Sequence, residues 1–535
     1  MTPPPQSYNG VALRGQQRVG HPAETFSSRN ILLFIVAFRI LNSLSLQTFF
    51  QPDEYFQSLE PAWQMAFGKD SGAWITWEWE HQLRSSIHPT IFAGVYYISS
   101  TLADLLKVSY HTRVELLLAA PKVTQAAITA LGDYYTWKLG ERVFEPGSRA
   151  AWATWFCSTR TLSNCLEVTL TIIALSLWPW HWSLAATQRD ERDEAGLRVP
   201  RGGSVAESAD ELTRGLILAL SVLTDRLYYQ TWTFPPFRFL YFNIAQSLSI
   251  FYGRNDWHYY FSQGLPLLLT TALPFGLLGI WRTLHGGHFI RLQLAVTVLF
   301  VTFTLSLISH KEVRFIYPIL PALHILTAEA LVSTIYPFQH VSTSSLHSHR
   351  APRITQLWKS LLSILLAVNI LIALYTTLIH QSGVISVLTY LRKEHGSRNT
   401  TTTIGFLMPC HSTPWRSHLI HPSMHAWALT CEPPVNLAPA ARAAYLDEAD
   451  IFYADPDSFL RTRFAPPPPL GEKVRTSAEK KQWPDYIVFF EQLQPVMVGV
   501  LRGSGYAECW RGFNSHWHDD WRRKGDVVVW CLREL

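Results

Sequence analysis

The sequence predicts a mainly α, polytopic membrane protein of about nine spans, ending in an α/β domain outside the bilayer. Three observations carry this. Charged residues are 16% of the chain, against roughly 25% in soluble domains, and mean hydropathy is +0.06. Aromatic residues reach 13%, with 21 Trp, as suits rings anchored at membrane interfaces. Apolar runs of about 20 residues, the length a bilayer core demands, recur up to residue 380 and then stop. A net charge of +5 is too mild for a nucleic-acid protein, and six Cys in 535 residues exclude a disulfide-dense mini-domain.

Residues 1–29 are Pro-rich, with Arg14, Arg18 and Arg29 against Glu24, and read as a disordered cytoplasmic N-terminus. The first apolar run, 31–50, is too long for a signal-peptide core, is interrupted by Arg39 and is followed by no small-residue cleavage site, so it reads as an uncleaved span. Further runs lie at 89–106, 114–137, 150–182, 215–229, 264–284, 290–309, 315–336 and 360–379. Several contain Pro and ionisable groups and are expected to pack against one another. Residues 30–380 thus form a multi-spanning domain. Basic residues resist translocation, so the far side receives loop 51–88, the short link 138–149, the segment after 230, turn 310–314 and everything after 380. The stretch 337–359 carries Arg350, Arg353 and Lys359 with no acid, as a cytoplasmic loop should.

Residues 381–535 are polar, with Tyr486–Phe490 and 527–530 reading as strands of a small α/β or mostly β domain. Cys410, Cys431, Cys509 and Cys531 all fall here and are disulfide candidates, with three possible pairings. Asn399 opens an N-x-T sequon and is a glycosylation candidate on the same side.

The first far-side loop is the most informative stretch. Adjacent acids Asp53 and Glu54 directly follow a span. Acids at a helix mouth are costly unless they pair or act, and one of them is placed to be a general base on a sugar hydroxyl. The alternative is a helix N-cap at Asp53. Trp77, Glu78 and Trp79, with Arg84 beyond, suit sugar stacking and an interface belt equally. At the end of a later span, His310, Lys311, Glu312 and Arg314 crowd three basic groups where a lipid phosphate would lie; the alternative is a charged helix stop. Trp257 and His258 form a similar polar, aromatic patch. His516-x-His518 matches no compact zinc spacing, and no metal is expected. No Walker A, dinucleotide-binding or G-x-S-x-G motif occurs, which argues against a nucleotide-driven pump and a Rossmann enzyme.

The stretch 51–60, with 76–79 and 83–85, resembles the dolichol-phosphate-mannose-dependent α-mannosyltransferases of glycosyltransferase family 22, and within them the GPI-anchor branch. The likeness extends through Ser163-Asn164-Cys165-Leu166-Glu167, Asp225-Arg226-Leu227-Tyr228-Tyr229, 251–253 with 257–264, 310–318, 408–414 and 514–531. It implies a GT-C fold in the endoplasmic reticulum membrane, with the active site and the C-terminal domain lumenal. It implies transfer of the third, α1,2-linked mannose from dolichyl-phosphate mannose onto a two-mannose GPI-precursor glycolipid. The partners are then lipids and no nucleic acid, and no cofactor is called for. Asp53 and Glu54 would be catalytic, Asp53 the better base because it leads the pair. Trp77, Glu78, Trp79, Arg84, Arg226, Trp257, His258, His310, Lys311, Glu312 and Arg314 would bind substrate, Arg314 first among the phosphate ligands and Lys311 second. The sequence departs from that family in one place. Between Glu167 and Asp225 family members carry an Arg-Pro-Thr segment and more membrane-embedded chain, whereas 187–214 here is charged and hydrophilic. Loss of a pair of spans preserves sidedness. The competing classes are a polytopic lipid-glycan transporter or flippase, and a non-catalytic glycolipid-binding subunit.

Overall fold

The computed structural model describes residues 28–144, 160, 162–178, 180, 204–286 except 247, 249, 250 and 252, 289–335, 351–398, and 400–533 except 436, 443 and 471–479. The N-terminal segment 1–27 and Asn399 lie outside the described residues.

The helical part comprises α1 (Ser28–Leu44), α2 (Glu60–Phe67), α3 (Ile87–Leu105), α4 (Tyr110–Val143), α5 (Ser163–Leu177), α6 (Ser204–Tyr229), α7 (Leu273–His285), α8 (Phe289–Ser306), α9 (Leu320–Ile335), α10 (Ala351–Leu378) and α11 (Gly383–Arg398). Five stretches are long and apolar enough to cross a bilayer: Tyr110–Val143, Tyr260–His285, Phe289–Ser306, Val313–Thr334 and Gln356–Gly396. The chain is a multi-pass membrane protein, and five of the nine expected runs are candidate spans among the described residues; the run 150–182 lies partly outside them. The helices α1 and α5 are shorter, at 17 and 15 residues, and α1 carries Arg39.

That arginine is fully buried and grips Asp133 of α4 through two hydrogen bonds of 2.5 and 2.8 Å. A bidentate guanidinium–carboxylate pair removes most of the cost of burying either charge. It ties α1 to the 34-residue α4. The α4 helix begins at Ser109, whose hydroxyl accepts from the Thr112 N–H at 3.2 Å. Farther along, α7 and α9 cross so closely at Gly279 that any Cβ there would overlap the Leu326 carbonyl oxygen. In contrast, α10 turns Leu357, Ile364, Leu366 and Leu371 outward, the surface expected of a helix facing lipid.

The C-terminal domain is built on a five-stranded mixed sheet of order β2-β1-β3-β5-β4: β1 (Thr402–Phe406), β2 (Met424–Ala428), β3 (Tyr486–Phe490), β4 (Tyr506–Ser515) and β5 (Gly525–Leu532). β1 pairs in parallel with β2 and β3, while β5 runs antiparallel between β3 and β4. The period-2 alternation of strand side chains gives this sheet two apolar faces. Ile487, Phe489, Val528 and Trp530 pack with Phe452, Phe459 and Met497 on one side. Tyr486, Val488, Phe490, Val527 and Val529 face the other way, into a core shared with Val387 and Leu388 of α11, Phe92 and Tyr96 of α3, and Phe56 and Trp63 of the first loop. The first loop and the sheet domain are therefore packed together, and the cavity described next lies where they meet.

Candidate active site

An open cavity of about 640 Å³ is walled by segments far apart in sequence. Residues between Gln51 and Gln57 and between Thr76 and Arg84 come from the first loop, Ser163 and Asn164 from the start of α5, Phe239, Asn243, 253–255 and residues between His310 and Phe315 from the chain between and at the ends of spans, and His411 with Cys431 from the sheet domain. The π-helical turn Tyr55–Leu59 follows Pro52 and runs directly into α2. It sets Asp53 at the cavity wall and turns Glu54 away from it.

Asp53 forms an ion pair with Arg314, so the N-cap alternative is not the use made of its carboxylate. Arg314 also holds both oxygens of Glu312 at 2.7 Å, from Nε and from one terminal nitrogen. Glu312 in turn accepts from His310 Nε2 at 3.1 Å, while His310 Nδ1 lies 3.0 Å from the Gly253 carbonyl. Burial works against a charge on His310. The bond to Glu312, the Gly253 carbonyl and the Glu312 charge outweigh it and raise the pKa above the ordinary histidine value. Both ring nitrogens face acceptors, an arrangement that favours imidazolium.

Asp53, Arg314, Glu312 and His310 thus form one charge network, in which the guanidinium expected as the first phosphate ligand is engaged by two carboxylates. Two cations on the wall are free of such partners: among the described residues neither Lys311 nor Arg254 meets a carboxylate within ion-pair distance. Lys311 is buried, and its ammonium donates to the Asn255 carbonyl at 3.0 Å. Burial lowers its pKa. Arg254 is exposed at the cavity mouth. Arg84 is half-engaged: one nitrogen donates to Glu78 at 2.7 Å, the ring of Phe239 lies 5.5 Å away, and the buried Nε has no partner. Glu78 also accepts from Gln57 Nε2 at 3.0 Å.

Other expected residues lie elsewhere. Glu54 is buried against Arg160, 3.3 Å away, which also bonds the backbone and hydroxyl oxygens of Thr48. Trp79 is 2% exposed and donates its indole N–H to the Phe56 carbonyl at 3.0 Å. Trp77 does line the cavity. Arg226 lies 5.7 Å from the Trp232 ring, while Trp257 and His258 are exposed, and none of the three lines the cavity. The adjacent Asp225 caps the start of α3, accepting from the Ser86 N–H at 2.6 Å and the Ser86 hydroxyl at 2.8 Å.

Cys410 and Cys431 form a disulfide with Cα atoms 5.9 Å apart, inside the usual range. Cys509 and Cys531, on neighbouring strands, are not bridged, so the expectation of two bridges is corrected to one among the described residues. A bulge at Cys509 breaks the pairing register between Glu508 and Trp510. His516 and His518 are engaged by Tyr375 and by the Asp520 N–H.

Sequence reasoning missed Arg254, Arg160 and His411. A single arginine in a loop carries no pattern. His411 was legible only as part of the 408–414 block.

A multi-pass helical body thus carries a polar domain docked on its first loop, with a cavity that has an acid at one wall and cations at another. Residues 30–201 and 211–420 match the Alg9-like mannosyltransferase family, and the chain belongs to it. Among curated relatives, GPI mannosyltransferase 3 of Aspergillus fumigatus is 48% identical over 94% of this chain and 77% of its own length. The human GPI alpha-1,2-mannosyltransferase 3 is 32% identical over 91% of this chain and 84% of its own. The Aspergillus alignment runs over 604 positions against a chain of 535 residues, so that relative carries segments absent here. Among solved structures, ArnT from Cupriavidus metallidurans bound to undecaprenyl phosphate gives a TM-score of 0.44 at 13% identity, covering 95% of this chain and 99% of that one.

Proposed function

We propose that the chain is a GPI α-1,2-mannosyltransferase that adds the third mannose of the anchor, with dolichyl-phosphate mannose as donor, a two-mannose GPI precursor as acceptor, and a GT-C body that places the site at the lumenal face of the endoplasmic reticulum membrane. The observation that carries this is the convergence of Asp53, Lys311 and Arg254 on one cavity at the ends of spans. The first loop, 253–255, the turn 310–314 and the C-terminal domain, which all contribute to its wall, are expected on the side opposite the basic 337–359 loop, consistent with a lumenal site. Membership of a mannosyltransferase family favours transfer over the transporter reading.

A β-linked phosphoryl donor giving an α-mannoside requires inversion, hence one displacement and one base. The acceptor hydroxyl oxygen attacks the anomeric carbon, its proton passes to the Asp53 carboxylate, and the bond from that carbon to the phosphate oxygen breaks. Charge then grows on the lipid phosphate. Poor solvation at a membrane surface makes a fixed cation count for more there than in water. Lys311 and Arg254 meet that charge, with Arg84 within the same cavity. Arg314 acts through Asp53 and is a positioning residue; Glu312 and His310 hold it.

The test is mannosyl transfer in detergent by the full chain. Dolichyl-phosphate mannose and the two-mannose acceptor should yield a three-mannose product, and Asp53→Asn should abolish it while membrane insertion persists. Full activity in Asp53→Asn would sink the base assignment; absence of transfer by folded wild-type chain would sink the function.

A further inference from the structure

The cavity has a side notch that the transfer mechanism does not use. Thr76, Trp77, His411 and Cys431 line both spaces, and Trp74, Thr430 and Glu432 complete the notch. Its volume is about 10 Å³, room for a single oxygen such as that of a water or a hydroxyl. Two of the lining residues each carry a polar atom closed off from solvent and without a hydrogen-bond partner: Thr76 Oγ1 and His411 Nε2. Leaving one such atom unpaired costs roughly 1–3 kcal/mol, so two beside one small space point to an occupant.

His411 is held in place unusually firmly. Its φ of +55° is a left-handed conformation that few non-glycine residues adopt. The preceding residue is fixed by the Cys410–Cys431 disulfide. The ring lies 4.2 Å from Phe56 and 4.7 Å from Trp74, centroid to centroid. Nδ1 sits 3.5 and 3.7 Å from the two disulfide sulfurs. Burial, then the nearby Arg523 charge, lowers its pKa to about 3, so the ring is neutral at physiological pH. With the proton on Nδ1, Nε2 is a bare acceptor.

We propose that the notch recognises one hydroxyl of a pyranose in the cavity, which donates to His411 Nε2 and accepts from the Thr76 hydroxyl. This rests on the reading of the cavity as a sugar-transfer site. The hydroxyl belongs either to the terminal mannose of the acceptor or to the mannosyl group of the donor, and the experiment separates the two. A site built to bond a hydroxyl discriminates strongly against the analogue lacking it.

The experiment uses the purified full chain with single-deoxy acceptors and single-deoxy mannosyl donors. Wild type should lose about tenfold or more in kcat/KM with one analogue, and the arm in which it appears names the sugar. His411→Phe keeps a ring between Phe56 and Trp74 and removes the acceptor. It should lose a similar factor with natural substrates and nothing further with that analogue. Thr76→Val, nearly isosteric, should reduce the same penalty without disturbing the disulfide, and it carries the test if His411→Phe fails to fold. If the variants keep the full wild-type deoxy profile, the notch holds only water and the proposal is overturned. If folded wild type transfers no mannose at all, the underlying functional reading has failed instead.

Discussion

Arg314 bridges Asp53 and Glu312, one guanidinium holding a carboxylate of the first loop and another two residues away in its own turn. A cation so placed fixes the base in space. Arg314→Lys keeps the charge but cannot reproduce the fork geometry. Its kcat is expected to fall about 10²-fold, the scale of a displaced catalytic group. The displaced ammonium pairs less closely with Asp53, which should also move the acid limb of the kcat/KM profile to higher pH. A pH profile that stays in place while KM for the donor alone rises would return Arg314 to the phosphate site.

Lys311 is the buried cation without a carboxylate partner. Lys311→Met should lower kcat and kcat/KM together by about 10²-fold, as for a lost donor to transition-state charge. Arg254→Ala, at the exposed mouth, should act mainly on KM for the donor. Steady-state kinetics with donor as the varied substrate separates these outcomes. Near-normal kcat in the double variant would place the phosphate elsewhere, with Arg84 the next cation to test.

Glu54 neutralises Arg160 in a site where both side chains are largely buried. Breaking one side of such a pair costs about 3 kcal/mol or more. Glu54→Gln should therefore shorten the thermal-inactivation half-life of the solubilised protein, while kcat per folded molecule stays within about threefold of wild type. A variant of normal stability with abolished turnover would make Glu54 part of the chemistry.

The Cys410–Cys431 bridge closes a separation of 21 residues, for which chain entropy predicts a contribution of about 3 kcal/mol. Cys431→Ser should destabilise the sheet domain by an amount of that order, whereas Cys509→Ser should change little. Mass mapping of unreduced, denatured protein should find label on Cys509 and Cys531 and none on Cys410 or Cys431. Protection of all four would show a second bridge.

His411 provides a pH dependence of stability. Its folded pKa of about 3 lies below the unfolded value of about 6.5, so the unfolded state binds the extra proton throughout that interval. Stability is whole above pH 6.5 and falls as pH drops toward 3, by about 1.4 kcal/mol per pH unit for this ring. His418, depressed in the same direction by burial, adds to the slope. His411→Phe should flatten the decline in thermal-inactivation temperature between pH 6 and 5, and an unchanged slope would show that other groups set it.

What the chain alone determined is whatever depends on local period and composition. The β3 strand Tyr486–Phe490 was legible to the residue because a run of β-branched and aromatic side chains has few other uses. Most spans were legible within a few residues for the same reason, a sustained apolar run. Asp53, Lys311 and Arg84 stood out because charge beside a span is costly and rarely idle. Tertiary structure decided how those charges are used. Nothing in the order Asp53-Glu54 says that one meets Arg314 and the other Arg160, since both partners lie more than a hundred residues away. Arg39 likewise reads as an interruption until Asp133 is seen beside it. The wall formed by His411 depends on a disulfide and on a sheet docked against the first loop. Long-range pairing of charges and packing of faces is a property of the folded chain, set by which groups find a partner when water leaves.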